Sequence, residues 1–500
     1  MSGSYAESVP LPLMTGRAER LAEPRTAVVV GGGIAGLAAA VVLAERGMRV
    51  TVLEREHFLG GRAGAWADTL ADGTNFQMER GFHAFFRQYY NLRQLIRRVD
   101  PELRCLVPTE DYPILTPDGG AERFSGLPNR APLNVAVLTW RTETLKLADL
   151  LRINKTAALE MLRFHREQTF ARFDRQTSKA YLDSLQFPPL ARQRLFHVFA
   201  HSCFNPQEDM SAAELLQMFH FYFTGNREGL IFDVANRPFS HAIFDPLGRL
   251  LQRLGAKLRC GVTVRSIERS GERWVVNHRD GMLHADDVVI ATDVAGLQRI
   301  VGASTALDDP KWRGAVQGLR ATSPFAVWRL WLDRPTQPGR AAFAGTAGVG
   351  RLDNISLYHL FEDESRDWAA RAGGAVVELH AYALPENTAE ADLRADLLAG
   401  LHALYAETRA ARIVEERFLL RADCPAFAPG SYAARPAVAT PFPGLALAGD
   451  FVKLPFPTAL MERAAASGFL AASTLLNRYD VRPEPLWSVA PRGLLARFLP

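Results

Sequence analysis

The sequence predicts an α/β protein whose parallel nucleotide-binding sheet is assembled from separated segments and interrupted by an inserted α+β lobe. Three stretches carry this: residues 26–56, 256–294 and 444–473. Each joins a short β-branched strand to a turn or a helix start, while the chain between them lacks that pattern.

The first stretch, "TAVVVGGGIAGLAAAVVLAERGMRVTVLERE", opens on a strand, Thr26 to Val30, of the kind buried in parallel sheets. Gly31, Gly33 and Gly36 then form a GxGxxG turn before an alanine- and leucine-rich helix to about Arg46. Gly31 permits the tight turn, Gly33 lets backbone approach a pyrophosphate, and Gly36 lets helix and sheet close together. The helix start offers free N–H groups to phosphate. A second strand, Arg49 to Leu53, ends at Glu54, 18 residues after Gly36, where a carboxylate meets ribose hydroxyls.

That motif serves NAD and FAD alike, and three features favour FAD. "REHFLGGRAGAW" follows directly, so Arg55 and a second glycine turn with a cation (Gly60, Gly61, Arg62) lie beside the diphosphate. The second stretch returns through hairpin strands, placing Val264 near the adenine and Thr292 beside the cofactor. The third gives a strand from Leu445 to Ala448, then Gly449-Asp450, then a helix from about Thr458 containing Met461 and Glu462. Its positive end stabilises charge on a reduced ring.

Residues 25–100, 236–300 and 425–480 are therefore expected to form one FAD-binding domain. Residues 101–235 and 301–424 carry no dinucleotide signal, contain a strand in "FAVWRLWLD", and are expected to form a separate, substrate and membrane-associated domain. Residues 1–24 are expected to be a flexible tail, and 481–500 a second tail. The latter either packs on the FAD domain or rests on a bilayer through Trp487, Leu494, Leu495 and Phe498.

Composition narrows the partners. A hydrophobic content of 48% and a net charge of +4 describe a globular chain and give no reason to expect nucleic acid. The cysteines (Cys105, Cys203, Cys260, Cys424) are scattered, as in a reducing cytoplasm, and no apolar run is long enough for a spanning helix. A cytoplasmic, peripherally membrane-associated protein is expected. No metal is expected: His197 and His201 have an i, i+4 spacing but read as packing on a helix.

"MERGFHAFFRQYYNLRQL" resembles the segment of plant-type carotene desaturases in which an acid, Gly-x-His and aromatic residues precede "YxNL". "AGD…MERAAASGFLAA" resembles their C-terminal flavin motif, and the whole resembles the FAD-dependent amine oxidase and phytoene desaturase superfamily. "FHAFFRQYYNLRQLIRRVDP", "GDFVKLPFPTALMERAAASG" and "EPLWSVAPRGLLA" look like the isorenieratene synthase (carotene φ-ring synthase) branch. The resemblance implies a GR2-type FAD domain with an inserted substrate lobe. It also implies a β-carotene-type substrate and an electron acceptor such as quinone or oxygen. The implied reaction is two desaturations with a methyl shift that turn a β-ionone ring into a trimethylphenyl ring.

Such chemistry asks for a dry cavity, aromatic faces for a ring cation and a proton acceptor. Phe82, Phe85, Phe86 and Tyr89 are the candidate substrate wall, and Glu79, His83 and Glu462 the candidate catalytic groups. Glu79 and His83 share a face only if their stretch is helical. Glu79 has a competing role in shaping the flavin site, and Glu462 a competing one as a helix-start acid. Alternatives remain in a desaturase of acyclic carotenes, an amine oxidase, or a non-enzymatic prenyl-protein carrier of the same fold.

Overall fold

The computed structural model describes residues 6–11, 14–109, 111–129, 133–142, 149, 152–197, 201 and 204–496. Cys203, Phe498 and the side chain of His197 lie outside the described residues.

The β-branched run Thr26–Val30 forms β1, followed by helix α1 (Ile34–Glu45) and strand β2 (Arg49–Leu53). Two distant segments, β3 (Lys257–Arg259) and β4 (Asp287–Ile290), and then β5 (Leu445–Leu447) complete a five-stranded parallel sheet ordered β3-β2-β1-β4-β5. Between β3 and β4 the chain makes an antiparallel excursion: Val264–Ser270, Arg273–His278 and Gly281–Ala285. Helix α1 is buried from Ile34 to Ala44, with the C-terminal helix α3 (Leu460–Leu476) packed on it. The small residues permit this contact. A Cβ on Gly468 would fall 2.2 Å from the Ala35 carbonyl oxygen, and one on Gly36 1.9 Å from that of Gly31.

The second lobe is a seven-stranded sheet with Phe325–Leu332 near its edge, antiparallel to Ala375–Ala381 and to Ile413–Arg421. All eight residues of Phe325–Leu332 are buried. Ala326, Trp328 and Leu330 face the cluster of Leu393, Leu397 and Leu401, whereas Trp331 joins Phe76 and Val376 on the other side. Arg329 stands in the middle of this strand.

The helical condition on Glu79 and His83 is not met: Asn75–Glu79 is a strand, Phe85–Phe86 a second short strand, and helix α2 begins only at Tyr90 (Tyr90–Arg97). Two expectations change. Residues 65–86, assigned with the FAD domain, cross to the other lobe, with Phe76 edge-on to Trp331 at 4.9 Å and Phe82 stacked on Phe343 at 4.5 Å. The described N-terminal residues are also not a free tail. Glu7–Ser8 pairs antiparallel with Trp487–Ser488, Ala18 bridges to Val481, and Leu486 and Val489 are buried in the core. Docking satisfies backbone groups at both ends, so the described C-terminal stretch packs on the FAD lobe, with Trp487 and Leu495 partly buried and Leu494 exposed.

Candidate functional site

A cavity of about 890 Å³ runs from the glycine turns to the helices around Leu159 and Phe187. At its inner end the two glycine turns lie against each other. Gly31 has φ +111°, and a Cβ there would lie 2.4 Å from the Ala291 carbonyl oxygen, at the end of β4. The Gly60 N–H donates to the Gly32 carbonyl at 2.8 Å, so bare backbone from both turns faces the cavity. Glu54, buried at the end of β2, accepts from the Gly32 N–H at 2.6 Å and from that of Glu56 at 2.8 Å. It thereby braces the turn while lining the cavity.

Distant segments lock onto this cradle. Arg62 donates to Asp450 at 2.6 Å, joining the second glycine turn to the turn after β5. Burial alone would lower the Arg62 pKa, but Asp450 and Asp423 beside it hold the charge firmly. The Gly449 N–H donates to Ser467 Oγ at 2.9 Å, fixing that turn on α3. Arg55, Val264, Thr292 and Met461 complete the lining; Gly36 serves the packing beneath it. A cradle of bare backbone with an acid at the strand end and a paired cation fits a dinucleotide.

Beyond the cradle the cavity becomes aromatic. Phe82 and Phe232 meet edge-on at 5.8 Å, Phe86 packs on Tyr222 at 4.8 Å, and the Tyr89 and Tyr222 hydroxyls are 2.7 Å apart. Phe85 is different. Its neighbour Phe86 reaches the cavity, so strand alternation sends Phe85 inward against Phe239.

The three acid–base candidates are not brought together. His83 lines the cavity. Its Nδ1 donates to the Gly81 carbonyl at 2.8 Å, which leaves Nε2 as the acceptor. Burial pushes its pKa down to about 4, so the ring is neutral at neutral pH. Glu79 does not line the cavity: one oxygen accepts from the Phe239 N–H at 2.7 Å and the other lies 3.5 Å from Arg329. Burial raises it to about 8. Glu462 is also turned away, accepting from the Asn91 and Leu92 N–H groups at 2.9 Å each and from Asn91 Nδ2. It caps α2 from a distance by accepting from that helix's first N–H groups, and burial raises it to about 8.

Sequence reasoning missed a polar network on the cavity wall. His380 and Tyr382 line the cavity on the strand Ala375–Ala381 and just beyond it. His380 Nε2 lies 2.7 Å from Glu378, and its Nδ1 2.7 Å from the Tyr382 hydroxyl, which accepts from Asn354 Nδ2 at 2.9 Å. Glu378 accepts from Arg329 Nε at 2.8 Å. Burial would raise the Glu378 carboxyl, but Arg329 and the His380 hydrogen bond overcome it and hold it at about 2. The available signal was charge out of place: Arg329 within "FAVWRLWLD", and Glu378 and His380 within "AVVELHAYAL".

Residues 34–476 match the model for flavin containing amine oxidoreductases. The chain belongs to that family. As a flavin-containing oxidoreductase it uses FAD, for which the cradle is suited. It is 44% identical over 98% of its length to a carotenoid phi-ring synthase of Streptomyces griseus, covering 95% of that protein. A carotenoid phi-ring synthase of Chlorobaculum tepidum is 28% identical over 96% of this chain and 92% of its own. A triple mutant of putrescine oxidase shares the fold of this flavin oxidoreductase at a TM-score of 0.67 and 16% identity, covering 91% of this chain and 99% of the other.

Proposed function

We propose that this flavin oxidoreductase aromatises the β-ionone ring of β-carotene-type carotenoids with a 1,2-methyl shift, giving an isorenieratene-type end group. The observation that carries the reading is the continuity of the FAD cradle with a long aromatic chamber. The relatives named carotenoid phi-ring synthase support it.

Bound FAD, held by Gly31, Gly33, Gly60, Gly61, Glu54, Arg62, Gly449 and Asp450, supplies the hydride acceptor. The chain's residues do the rest. Phe82, Phe86 and Tyr89 exclude water and present aromatic faces to a cationic ring. His83, neutral with Nε2 as acceptor, receives a proton that the ring loses. Glu79 and Glu462 act by positioning, Glu79 beneath the loop that carries His83 and Glu462, from α3, by holding the start of α2.

The mouth of the chamber supports peripheral attachment to a membrane. Leu138, Thr139, Lys155 and Leu159 line it, and the adjoining Trp140 is 84% exposed. Among the described residues no helix is long and apolar enough to cross a bilayer. A quinone or oxygen completes the cycle as electron acceptor. Expression in a host that makes β-carotene tests the reading. Aromatic end groups are expected; a change confined to phytoene or ζ-carotene backgrounds would assign the chain to acyclic desaturation. Sedimentation with anionic vesicles, weakened by Trp140→Ser, tests attachment.

A further inference from the structure

Aromatising a β-ionone ring removes two hydrides and two protons, so two C–H bonds must each surrender a proton inside a water-poor chamber. His83 answers for one. A second polar element, beside the loop that carries His83, is the chain of hydrogen bonds from Tyr382 through His380 to Glu378, which belongs to the cavity wall and has no part in cradling the dinucleotide.

Its internal polarity is set by its partners. Glu378 is an anion pinned by Arg329, and an ionised carboxylate only accepts, so His380 Nε2 carries the proton between them. Nδ1 of His380 is then the acceptor facing the Tyr382 hydroxyl at 2.7 Å. Asn354 Nδ2 donates to that hydroxyl oxygen from the other side at 2.9 Å, directing the Tyr382 proton toward His380. The groups around His380 are few. Glu378 and Tyr382 come from its own segment, Arg329 acts through Glu378 from the neighbouring strand, Gly81 packs on the ring, and His83 on the same loop is close enough to interact electrostatically with it. The Phe82 N–H, 3.4 Å from Nε2, adds only a long contact.

We propose that Tyr382 is a second proton acceptor for the ring, with His380 and Glu378 as the positioning residues that make it basic. This rests on the ring aromatisation proposed above. In the step, a ring C–H bond of the cation left by hydride loss to FAD breaks, and its electron pair becomes the new C=C bond. The proton passes to Tyr382 Oη as the phenolic proton moves to His380 Nδ1. The imidazolium so formed is stabilised by Glu378, and the extra proton leaves to water once product departs. A phenol is a weak base by itself; the buried His–Glu pair lets it serve against so acidic a donor.

The test uses purified holoenzyme with β-carotene in liposomes, following flavin bleaching anaerobically and, in separate turnovers in which a quinone reoxidises the flavin between the two hydride losses, end groups by chromatography and mass. Tyr382→Phe should retain flavin and bleach within about threefold of the native rate, while aromatic end groups per flavin reduced fall about a hundredfold. Desaturated, non-aromatic end groups should replace them. His380→Gln should shift the same ratio in the same direction, which guards against a Tyr382 variant that loses flavin for structural reasons. Native aromatic yield per flavin reduced in both variants would overturn the proposal. If the unaltered enzyme bleaches only with acyclic carotenes, ring aromatisation itself fails, and the relay with it.

Discussion

Replacing Arg329 with Met removes the guanidinium that faces both Glu378 and Glu79 inside the second lobe. The native guanidinium lies 2.8 Å from Glu378, 3.5 Å from Glu79, and over the Tyr358 ring at 3.9 Å. At an effective dielectric of about 20, a pair 2.8 Å apart attracts by roughly 6 kcal/mol, from which the cost of burying the guanidinium subtracts. Breaking such a buried pair from one side typically costs about 3–5 kcal/mol. The direction agrees: against the cost of burial, Arg329 and then the His380 hydrogen bond hold the Glu378 carboxyl well below its ordinary 4.5. Because the folded value is depressed, this stability is present above pH 4.5 and lost as pH falls toward 2. Urea unfolding of the holoprotein, followed by tryptophan fluorescence, should therefore show Arg329→Met less stable by about 3–4 kcal/mol at pH 7. The deficit should shrink below pH 4.5, and adding Glu378→Gln should restore about half of it. An Arg329→Met variant within about 1 kcal/mol of native, or a double variant no better than the single, would refute the reasoning.

Three other perturbations follow from the same contacts. Arg62→Gln severs the charge-assisted bond to Asp450, worth about 1.5–3 kcal/mol, so titration of apoprotein should give a FAD Kd raised roughly 10–100-fold. Glu462→Ala orphans the buried Asn91 and Leu92 amides and should destabilise by about 2–4 kcal/mol. Faster hydrogen exchange at those amides should accompany it, with unaltered flavin bleaching in the protein that remains folded. His83, held near 4 by burial, is charged only below that pH. The pH–rate profiles of native and His83→Asn enzyme should share one shape from pH 5.5 to 8.5, and a native inflection near 6.5 that the variant lacks would count against this.

What could be read in advance was what is local. The turn at Gly31–Gly36 lies within one strand-turn-helix unit, and backbone geometry dictates its residues, as it does for Gly60–Gly61 and Gly449. Phe82, Phe86 and Tyr89 line the cavity, but the side taken by Phe85 depended on a two-residue strand whose partner, Phe232–Ala235, is remote. Glu79 turned inward because Phe239 and Arg329 meet it there. The Arg329–Glu378 pairing was invisible for the same reason: a register between strands has no signature in either strand alone. The docked N-terminal segment answers to backbone groups at the opposite end of the chain.

The order of the parallel sheet also governs when this protein becomes a flavoprotein. Strands β1 and β2 leave the ribosome early, yet β5, Gly449 and Asp450, which closes on Arg62, emerge only after the whole second lobe. Until then the glycine turns have half a cradle and α1, apolar on every side, lacks the cover of α3. The nascent chain must carry that exposed helix through most of its synthesis, a liability that chaperones meet in chains of high contact order. The cradle for FAD is therefore complete only once the C-terminal segment has been made.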